Sequence, residues 1–287
     1  MNTSTPPLDH LRDWIGRTEQ RDDTITAAPL AGLIATLDRA DDPAPREGTA
    51  LPPLAHWLYF LPQALRREVG ADGHPKRGGF LPPVPRPRRM WAGGRLAFKH
   101  PIQVGDAVTR RSTIKSVDAK QGRSGALVFV TVAHEIMNAQ GVAILEEHDI
   151  VYRDNPEPGA APASPQPAPT DEAFGRAIVP DPVLLFRYSA LTFNGHRIHY
   201  DRSYVTEVEG YPGLIVHGPL IATLLVDLLR REMPGAVLKQ FDFKAASPLF
   251  DIHPFTVCAK PEADGRVALW ARNHLGQLAM TARAVIG

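Results

Sequence analysis

A helix-length stretch in the second half of the chain is apolar on every side. From Leu220 to Leu229 only Thr223 and Asp227 are polar, so a helix here has no face suited to water and must be covered almost all round. Pro219 suits a first helical position. At about 1.5 Å per residue, fifteen residues span roughly 22 Å, short of the ~30 Å apolar thickness of a bilayer. The pattern therefore predicts a buried core helix.

Strand-like alternation of apolar and polar positions surrounds this helix. The second half of the chain is predicted to contain strands at residues 183–188, 237–243, 253–261, 266–273 and 277–286. The first half is predicted to contain strands at residues 90–98, 107–116, 127–138 and 142–152. A strand, a loop, a helix and four strands in succession predict one antiparallel sheet wrapped around one helix.

The first half repeats this organisation in weaker form. An amphipathic helix is predicted at residues 26–39, and the apolar stretch at residues 54–65 is a short, interrupted counterpart of the central helix. Six prolines and four alanines occupy residues 156–169, a composition typical of an extended linker. We therefore predict an α+β protein with a degenerate N-terminal domain at residues 1–155, a linker at 156–180 and a C-terminal domain at 181–287.

Composition excludes several classes of function. The 287 residues include 32 basic and 31 acidic side chains, for a formal net charge of +1, so nothing favours nucleic acid as a partner. Cys258 is the only cysteine, which rules out an internal disulfide and favours the reducing cytoplasm. The first fourteen residues lack an apolar run after basic residues, so neither a signal peptide nor a membrane partner is expected.

The candidate chemistry lies just before the core helix. Asn194, His196, Arg197 and His199 fall within six positions, and His217 and Gly218 precede Pro219. A histidine titrates close to neutral pH, and a helix N-terminus offers unpaired N–H groups to a developing oxyanion. The eleven histidines show no metal-ligand spacing, and no GxxxxGK, GxGxxG or GxSxG motif occurs, so no metal site is expected.

Two segments here resemble a known family. SALTFNGHRIHYD, residues 189–201, and GLIVHGPL, residues 213–220, resemble the MaoC-like (R)-specific enoyl-CoA hydratases. They are closer to the branch of type-2 3-hydroxyacyl-thioester dehydratases and mesaconyl-C4-CoA (3-methylfumaryl-CoA) hydratases. MWAGGRLAFKHPIQVGD, residues 90–106, is similar to the N-terminal half of such enzymes. The resemblance implies a double hotdog fold, and cofactor-free addition of water to a small acyl-CoA thioester, with mesaconyl-C4-CoA as the expected substrate.

The resemblance also assigns catalytic roles. His199 is expected to activate water and then to protonate the α-carbon. The family usually has an aspartate at the position of Asn194, so two interpretations stay open. Either His199 is the sole base and Asn194 orients the water, or a carboxylate such as Asp201, Glu207 or Glu209 takes part. The Gly218 N–H is the expected oxyanion donor.

Substrate-binding residues are predicted less specifically. Arg187 and Arg197 could hold a phosphate or a substrate carboxylate, or could pair with Asp201 or Glu209. Tyr200 and His217 are expected to line the site, and His217 could instead fix the entry into the helix. Basic residues at 76–89 fit the phosphates of coenzyme A but also a solvated loop.

Three activities share these features. We expect a hydratase. A hotdog thioesterase and a non-catalytic acyl-CoA-binding module are the alternatives. A homodimer is compatible with each of the three.

Overall fold

The computed structural model describes residues 8–122, 125–155 and 165–287. The strands are β1 (Thr18–Thr24), β2 (Arg88–Phe98), β3 (Ala107–Gly122), β4 (Gly125–Asn138), β5 (Gly141–Arg153), β6 (Phe174–Ile178), β7 (Leu238–Ala245), β8 (Phe255–Pro261), β9 (Arg266–Asn273) and β10 (Leu278–Ile286). The α-helices are α1 (Ala27–Thr36), α2 (Pro182–Leu191) and α3 (Gly218–Glu232).

The described strands form a single antiparallel sheet in the order β1-β3-β4-β5-β2-β7-β10-β9-β8-β6. The two halves of the chain meet where β2 pairs with β7. Gly93 lies at this seam, and a Cβ there would stand 2.6 Å from the Phe243 carbonyl oxygen. The β2–β5 register also shifts between Trp91 and Gly93. A glycine here permits both the bulge and the close approach of the neighbouring backbone.

The predicted core helix is confirmed as α3. Every residue from Leu220 to Leu229 is buried, and the helix packs against the sheet of the C-terminal half. The acidic side chain within this buried stretch, Asp227, is 2% exposed. The carboxylate receives Arg176 and Arg231, each at 2.8 Å, and Arg39 at 3.4 Å. Three guanidinium groups thus compensate the burial of this charge.

Residues 183–188 were predicted to form a strand, and this prediction was wrong, because they belong to α2. The Asp181 carboxylate caps the helix by accepting the Leu184 N–H at 2.8 Å, and Pro182 occupies its first turn. Leu185 and Tyr188 are buried three positions apart, which is the spacing of a helix face. The apolar run at residues 183–188 is too short for its spacing to distinguish a helix from a strand.

Two edge strands were missed. β1 pairs with β3, and β6 pairs with β8. β1 has the sequence TEQRDDT, which lacks the apolar alternation that would reveal a strand. β6 lies inside residues 156–180, the predicted linker, of which residues 156–164 fall outside the described part. The division into domains stays a prediction. The other strands named from the sequence are all present.

The N-terminal half contains a buried polar group where the C-terminal half has its long helix. Only a short 3₁₀ turn, Ala55–Leu58, forms there. Glu146 on β5 is 4% exposed. Its carboxylate accepts the Trp57 Nε1–H at 2.7 Å and contacts His56 Nε2 at 3.0 Å and His148 Nε2 at 2.6 Å.

The charge state of Glu146 follows from these contacts. Burial alone would raise the pKa of Glu146, but the neighbouring His148 and His56 hold it well below its usual range. The carboxylate therefore stays ionised and fastens the short turn to the sheet.

None of the helices in the described ranges is both long and apolar enough to cross a bilayer.

Replacing Glu146 by Gln should lower the free energy of unfolding at pH 7 by about 2–4 kcal/mol, because an amide cannot satisfy all three donors. The lowered pKa means that this stabilisation is complete above the unfolded value of about 4.3 and is lost as pH falls through the folded value. Denaturant unfolding of both proteins at pH 7 and pH 4 measures the effect.

The control is Glu147→Gln. Glu147 points to the opposite face of β5 and pairs with Arg95 and Lys115 in a more exposed setting, so we expect a change below about 1 kcal/mol. Equal losses in the two variants would contradict the role given to the buried carboxylate.

Candidate active site

The loop after α2 is tied to the segment that leads into α3. The Ile215 N–H donates to the Ile198 carbonyl at 2.9 Å, and the Val216 N–H donates to the Leu249 carbonyl at 2.9 Å. Arg197–His199 forms a single 3₁₀ turn. These bonds bring His199 beside the residues that begin α3.

His199 is 7% exposed and has a fixed tautomer. Its Nδ1 lies 2.7 Å from the Ile215 carbonyl oxygen, which can only accept, so Nδ1 carries the proton and Nε2 keeps a free lone pair. Burial lowers the pKa of His199 to about 4, although the bond to Ile215 opposes the shift. At neutral pH the side chain is an unprotonated base.

His217 supports this imidazole from behind. The two rings are stacked with centroids 3.7 Å apart and an angle of 18° between their planes. His217 Nε2 is hydrogen-bonded to Ser189 Oγ at 2.8 Å, and Tyr188 packs edge-on against the ring at 5.2 Å. His217 is 1% exposed. These contacts favour the interpretation that it fixes the helix entry; a direct substrate contact stays a prediction.

Gly218 is the first residue of α3. A first residue has no carbonyl one turn earlier to accept its N–H, and the helix dipole places partial positive charge there. A Cβ at Gly218 would stand 3.8 Å from the Trp91 carbonyl oxygen on β2. The N-terminal half therefore reaches the start of α3, and the Gly218 N–H follows directly after the His217 ring that supports His199.

Asn194 has one end of its amide occupied. Its Oδ1 accepts the His196 N–H at 3.0 Å, so the amide nitrogen is the end available to a ligand or water. Two of the carboxylates considered as substitutes for the family's aspartate have other partners, and the third, Glu207, is exposed. Asp201 pairs with Arg197 at 2.8 Å, and Glu209 accepts the Tyr204 hydroxyl at 3.0 Å. The geometry favours His199 as the sole base.

A loop of the N-terminal half, residues 70–76, covers the loop that carries His199. Gly73 has φ +90°, and a Cβ there would stand 1.8 Å from the Gly195 carbonyl oxygen. Only glycine allows this approach. The Arg197 N–H donates to the Asp72 carbonyl at 2.9 Å, and Arg197 Nη1 donates to the Ala71 carbonyl at 3.0 Å.

Arg197 therefore holds loop 70–76 against the loop that carries His199. Its guanidinium also pairs with Asp201 and lies 4.1 Å from the centroid of the Tyr204 ring. Of the alternatives open for Arg197, the structure favours the pair with Asp201 over a contact with substrate.

The covering loop adds polar groups that sequence reasoning missed. Asp72 Oδ2 lies 3.0 Å from His74 Nδ1, and the His74 ring lies 3.9 Å from that of His196. His196 in turn meets the His199 ring edge-on at 5.4 Å. The Asp-x-His spacing at 72–74 was the only signal in the sequence, and it gave no link to a loop more than 120 positions away.

Asp72, His74 and His196 have potential metal-ligand atoms within 4.8 Å of one another. Burial and the charges of His74 and His199 lower the pKa of His196, and Arg89 adds to this lowering. A neighbouring guanidinium disfavours a bound cation, so these residues fit a metal poorly.

Arg187 and Tyr200 lie outside this group. Arg187 is on the exposed side of α2, where Nη1 donates to the Ala35 carbonyl at 3.3 Å. Tyr200 is 45% exposed, and its hydroxyl donates to the Gly195 carbonyl at 3.0 Å. The structure brings together His199, Asn194, Gly218 and His217, and it leaves Tyr200 at the rim and Arg187 on the surface.

Known proteins share this sequence and fold. Residues 54–251 match the family model for hydroxyacyl-thioester dehydratase type 2. The chain is 48% identical over 277 residues to the mesaconyl-C(4)-CoA hydratase of Chloroflexus aurantiacus, covering 96% of this chain and 97% of that protein.

Solved structures agree on the fold. A MaoC-like dehydratase from Phytophthora capsici is 16% identical, with a TM-score of 0.69 over 98% of each chain. A Mycobacterium tuberculosis protein with a double hotdog fold is 15% identical, with a TM-score of 0.57 over 100% of each chain. These likenesses confirm the expected double hotdog.

Nuclear magnetic resonance of ¹⁵N-histidine-labelled protein tests the state of the central imidazole. We expect His199 to show the Nδ1–H tautomer and to stay neutral as pH falls from 8 until it approaches about 4, because protonation would place a charge in a buried site. The His199→Asn variant assigns the signal, since it lacks the ring while its side-chain amide can still donate to Ile215. An Nε2–H tautomer, or titration near 6.5 as in an exposed histidine, would contradict the assignment.

Proposed function

This chain belongs to the hydroxyacyl-thioester dehydratase type 2 family, and from that premise we propose that it hydrates mesaconyl-C4-CoA to citramalyl-CoA. The observation that carries the chemistry is the neutral His199, held by Ile215 with Nε2 free, next to the start of α3. The 48% identity to a mesaconyl-C(4)-CoA hydratase supports the choice of substrate. A cytoplasmic location and a homodimer stay predictions from the sequence.

The proposed reaction uses one base for two proton transfers. His199 Nε2 removes a proton from water while the oxygen of that water attacks the β-carbon of the enoyl thioester. The electron pair of the double bond moves to the thioester oxygen, where the Gly218 N–H and the dipole of α3 stabilise the enolate. The same Nε2–H then returns the proton to the α-carbon. No net proton is lost.

The low pKa of His199 suits both steps. The base is unprotonated before reaction at any pH near neutral, and its conjugate acid is strong enough to give the proton to the enolate carbon at once. The free end of the Asn194 amide donates to the attacking water and so orients a lone pair towards the β-carbon. Asn194 thus replaces the positioning role of the family's aspartate without acting as a second base.

Thioester hydrolysis is less well supported. A hotdog thioesterase commonly uses a carboxylate from the central helix, and the acidic residue in the apolar part of α3 is Asp227. That side chain is 2% exposed and occupied by three arginines, so it is unavailable to activate water.

Incubation of the purified chain with mesaconyl-C4-CoA tests the proposal. We expect the ultraviolet absorbance of the enoyl thioester to fall, a product one water heavier to form, and no thiol to react with DTNB. Cys258 is buried, so the protein itself should add little to the thiol signal. Thiol release would indicate a thioesterase, and tight binding without turnover would indicate a binding module. His199→Asn is the control and should be slower by about 10²-fold or more.

A pair of substitutions at Gly218 tests the oxyanion donor. Gly218→Ala keeps the N–H, and its Cβ would meet only the Trp91 carbonyl at an ordinary 3.8 Å, so turnover should stay within a few-fold. Gly218→Pro also adds a Cβ but removes the N–H at a helix position that tolerates proline. We expect kcat to fall by about 10²–10³-fold, with both melting temperatures measured. Equal kcat values for two folded variants would remove Gly218 from the mechanism.

A further inference from the structure

Arg89 is a partly buried cation whose side chain faces the site from the N-terminal half. Arg89 lies opposite Tyr152 in the β2–β5 pairing, and Trp91 lies opposite Ile150, so Arg89 and Trp91 share one face of β2. The Trp91 carbonyl lies against Gly218. Two residues of strand separate Arg89 from that point by roughly 7 Å, a distance comparable to the span of a four-carbon acyl group.

The positive charge of Arg89 affects the pKa of three neighbouring residues. Burial lowers the pKa of His74, a bond to Asp72 opposes this, and Arg89 lowers it further. His196 is affected by Arg89 in the same direction. Burial raises the pKa of Tyr152, and Arg89, lying against the phenol, reduces the rise. The guanidinium therefore lies against Tyr152 of β5 and is close enough to His74 and His196 to influence both rings.

Other basic residues of the same run already have partners. Arg77 donates to the Val84 and Pro87 carbonyls, and Lys76 donates to the Arg67 carbonyl.

Two arginines on either side of Pro87 form ion pairs. Arg86 pairs with Asp154, and Arg88 pairs with Glu209 while donating to the Tyr211 hydroxyl at 2.6 Å. Arg89, by contrast, is hydrogen-bonded to the Tyr152 side chain, and none of the ion pairs found among the described residues includes it.

The carboxylate of the covering loop, Asp72, has other partners. Asp72 accepts the His74 N–H on Oδ1 and pairs with the His74 ring on Oδ2, each at 3.0 Å. The carboxylate is therefore already satisfied by His74. A partly buried guanidinium without a counter-charge is costly in the empty protein and favours an anionic ligand with two oxygens, because its planar fork matches a carboxylate.

The proposed substrate has such a group at the required place. In mesaconyl-C4-CoA one end of methylfumarate is the thioester and the other is a free carboxylate. That carboxylate is attached to the carbon that receives water, so it must lie close to His199 while the thioester oxygen lies at Gly218. The sequence offered Arg187 and Arg197 for this role, but Arg187 lies on the surface and Arg197 is paired with Asp201.

We propose that Arg89 binds the free carboxylate of the substrate and thereby selects dicarboxylic monothioesters over simple enoyl-CoA esters. This inference rests on the proposed function. Arg89 acts as a specificity residue: it holds one end of the acyl group so that the β-carbon faces the water on His199. The N-terminal half thus supplies substrate recognition, and the C-terminal half supplies the base and the oxyanion donor.

The test compares Arg89→Gln with Arg95→Gln. Arg95 is on the same strand but points to the outer face, where it pairs with Glu147 and Asp149. Two quantities are measured for each variant: kcat/KM for mesaconyl-C4-CoA, and the inhibition constant of 3-methylcrotonyl-CoA, in which a methyl group replaces the carboxylate. The analogue reports on binding of the coenzyme A part and of the apolar part of the acyl group.

For Arg89→Gln we expect kcat/KM to fall by about 10²-fold or more, because a buried charge-assisted contact is lost, while the inhibition constant changes by less than about threefold. Arg95→Gln should leave both within about threefold, and Arg89→Lys should lie between wild type and Arg89→Gln. Thermal melts show that each variant is folded.

An unchanged kcat/KM in Arg89→Gln, or a parallel weakening of the methyl analogue, would overturn the inference. If Arg89→Gln fails to fold, Arg89→Lys decides: wild-type kcat/KM in that variant would also overturn it. Wild-type protein that does not hydrate mesaconyl-C4-CoA at all refutes the proposed function instead, so the two failures are distinguishable.

Discussion

The N-terminus of α3 is the constraint on which the rest of the site depends. A helix whose sides are all apolar must enter the core, and its first N–H groups have no preceding turn to accept them. The fold surrounds this end with His217, the His199 loop and strand β2. An oxygen atom of a ligand could accept these N–H groups. Burial of the apolar helix therefore places hydrogen-bond donors at the site.

His199 shows how neighbouring elements convert an ordinary histidine into a base. The Ile215 carbonyl fixes the tautomer, and the His217 ring fixes the plane. Burial keeps the imidazole neutral, since a charged ring would lose its hydration in this site. None of these effects needs the aspartate that the family usually has at position 194. On our proposal, this is the physical reason why an asparagine suffices there.

The two halves of the double hotdog have diverged in what fills them. The C-terminal half contains α3, whereas the N-terminal half has a short turn held by the Glu146 carboxylate. The shortened element leaves the inner face of β2 and β5 free for polar side chains, among them Arg89. Loop 70–76 then closes over the His199 loop through Gly73 and Arg197. The C-terminal half contains the long helix, and the N-terminal half covers the His199 loop and, on our proposal, recognises the substrate.

The sequence by itself determined α3, eight of the ten described strands and the group around His199, because these depend on local apolar period or on motifs within about thirty residues. It misassigned α2, where six apolar-rich positions fit either period and only the Asp181 cap distinguishes a helix. It also could not place Arg89, Asp72 or His74, which come from the other half of the chain. Only the tertiary structure decided which arginines pair with a carboxylate and which faces the site. Ion pairs and burial arise from contacts between segments far apart in sequence.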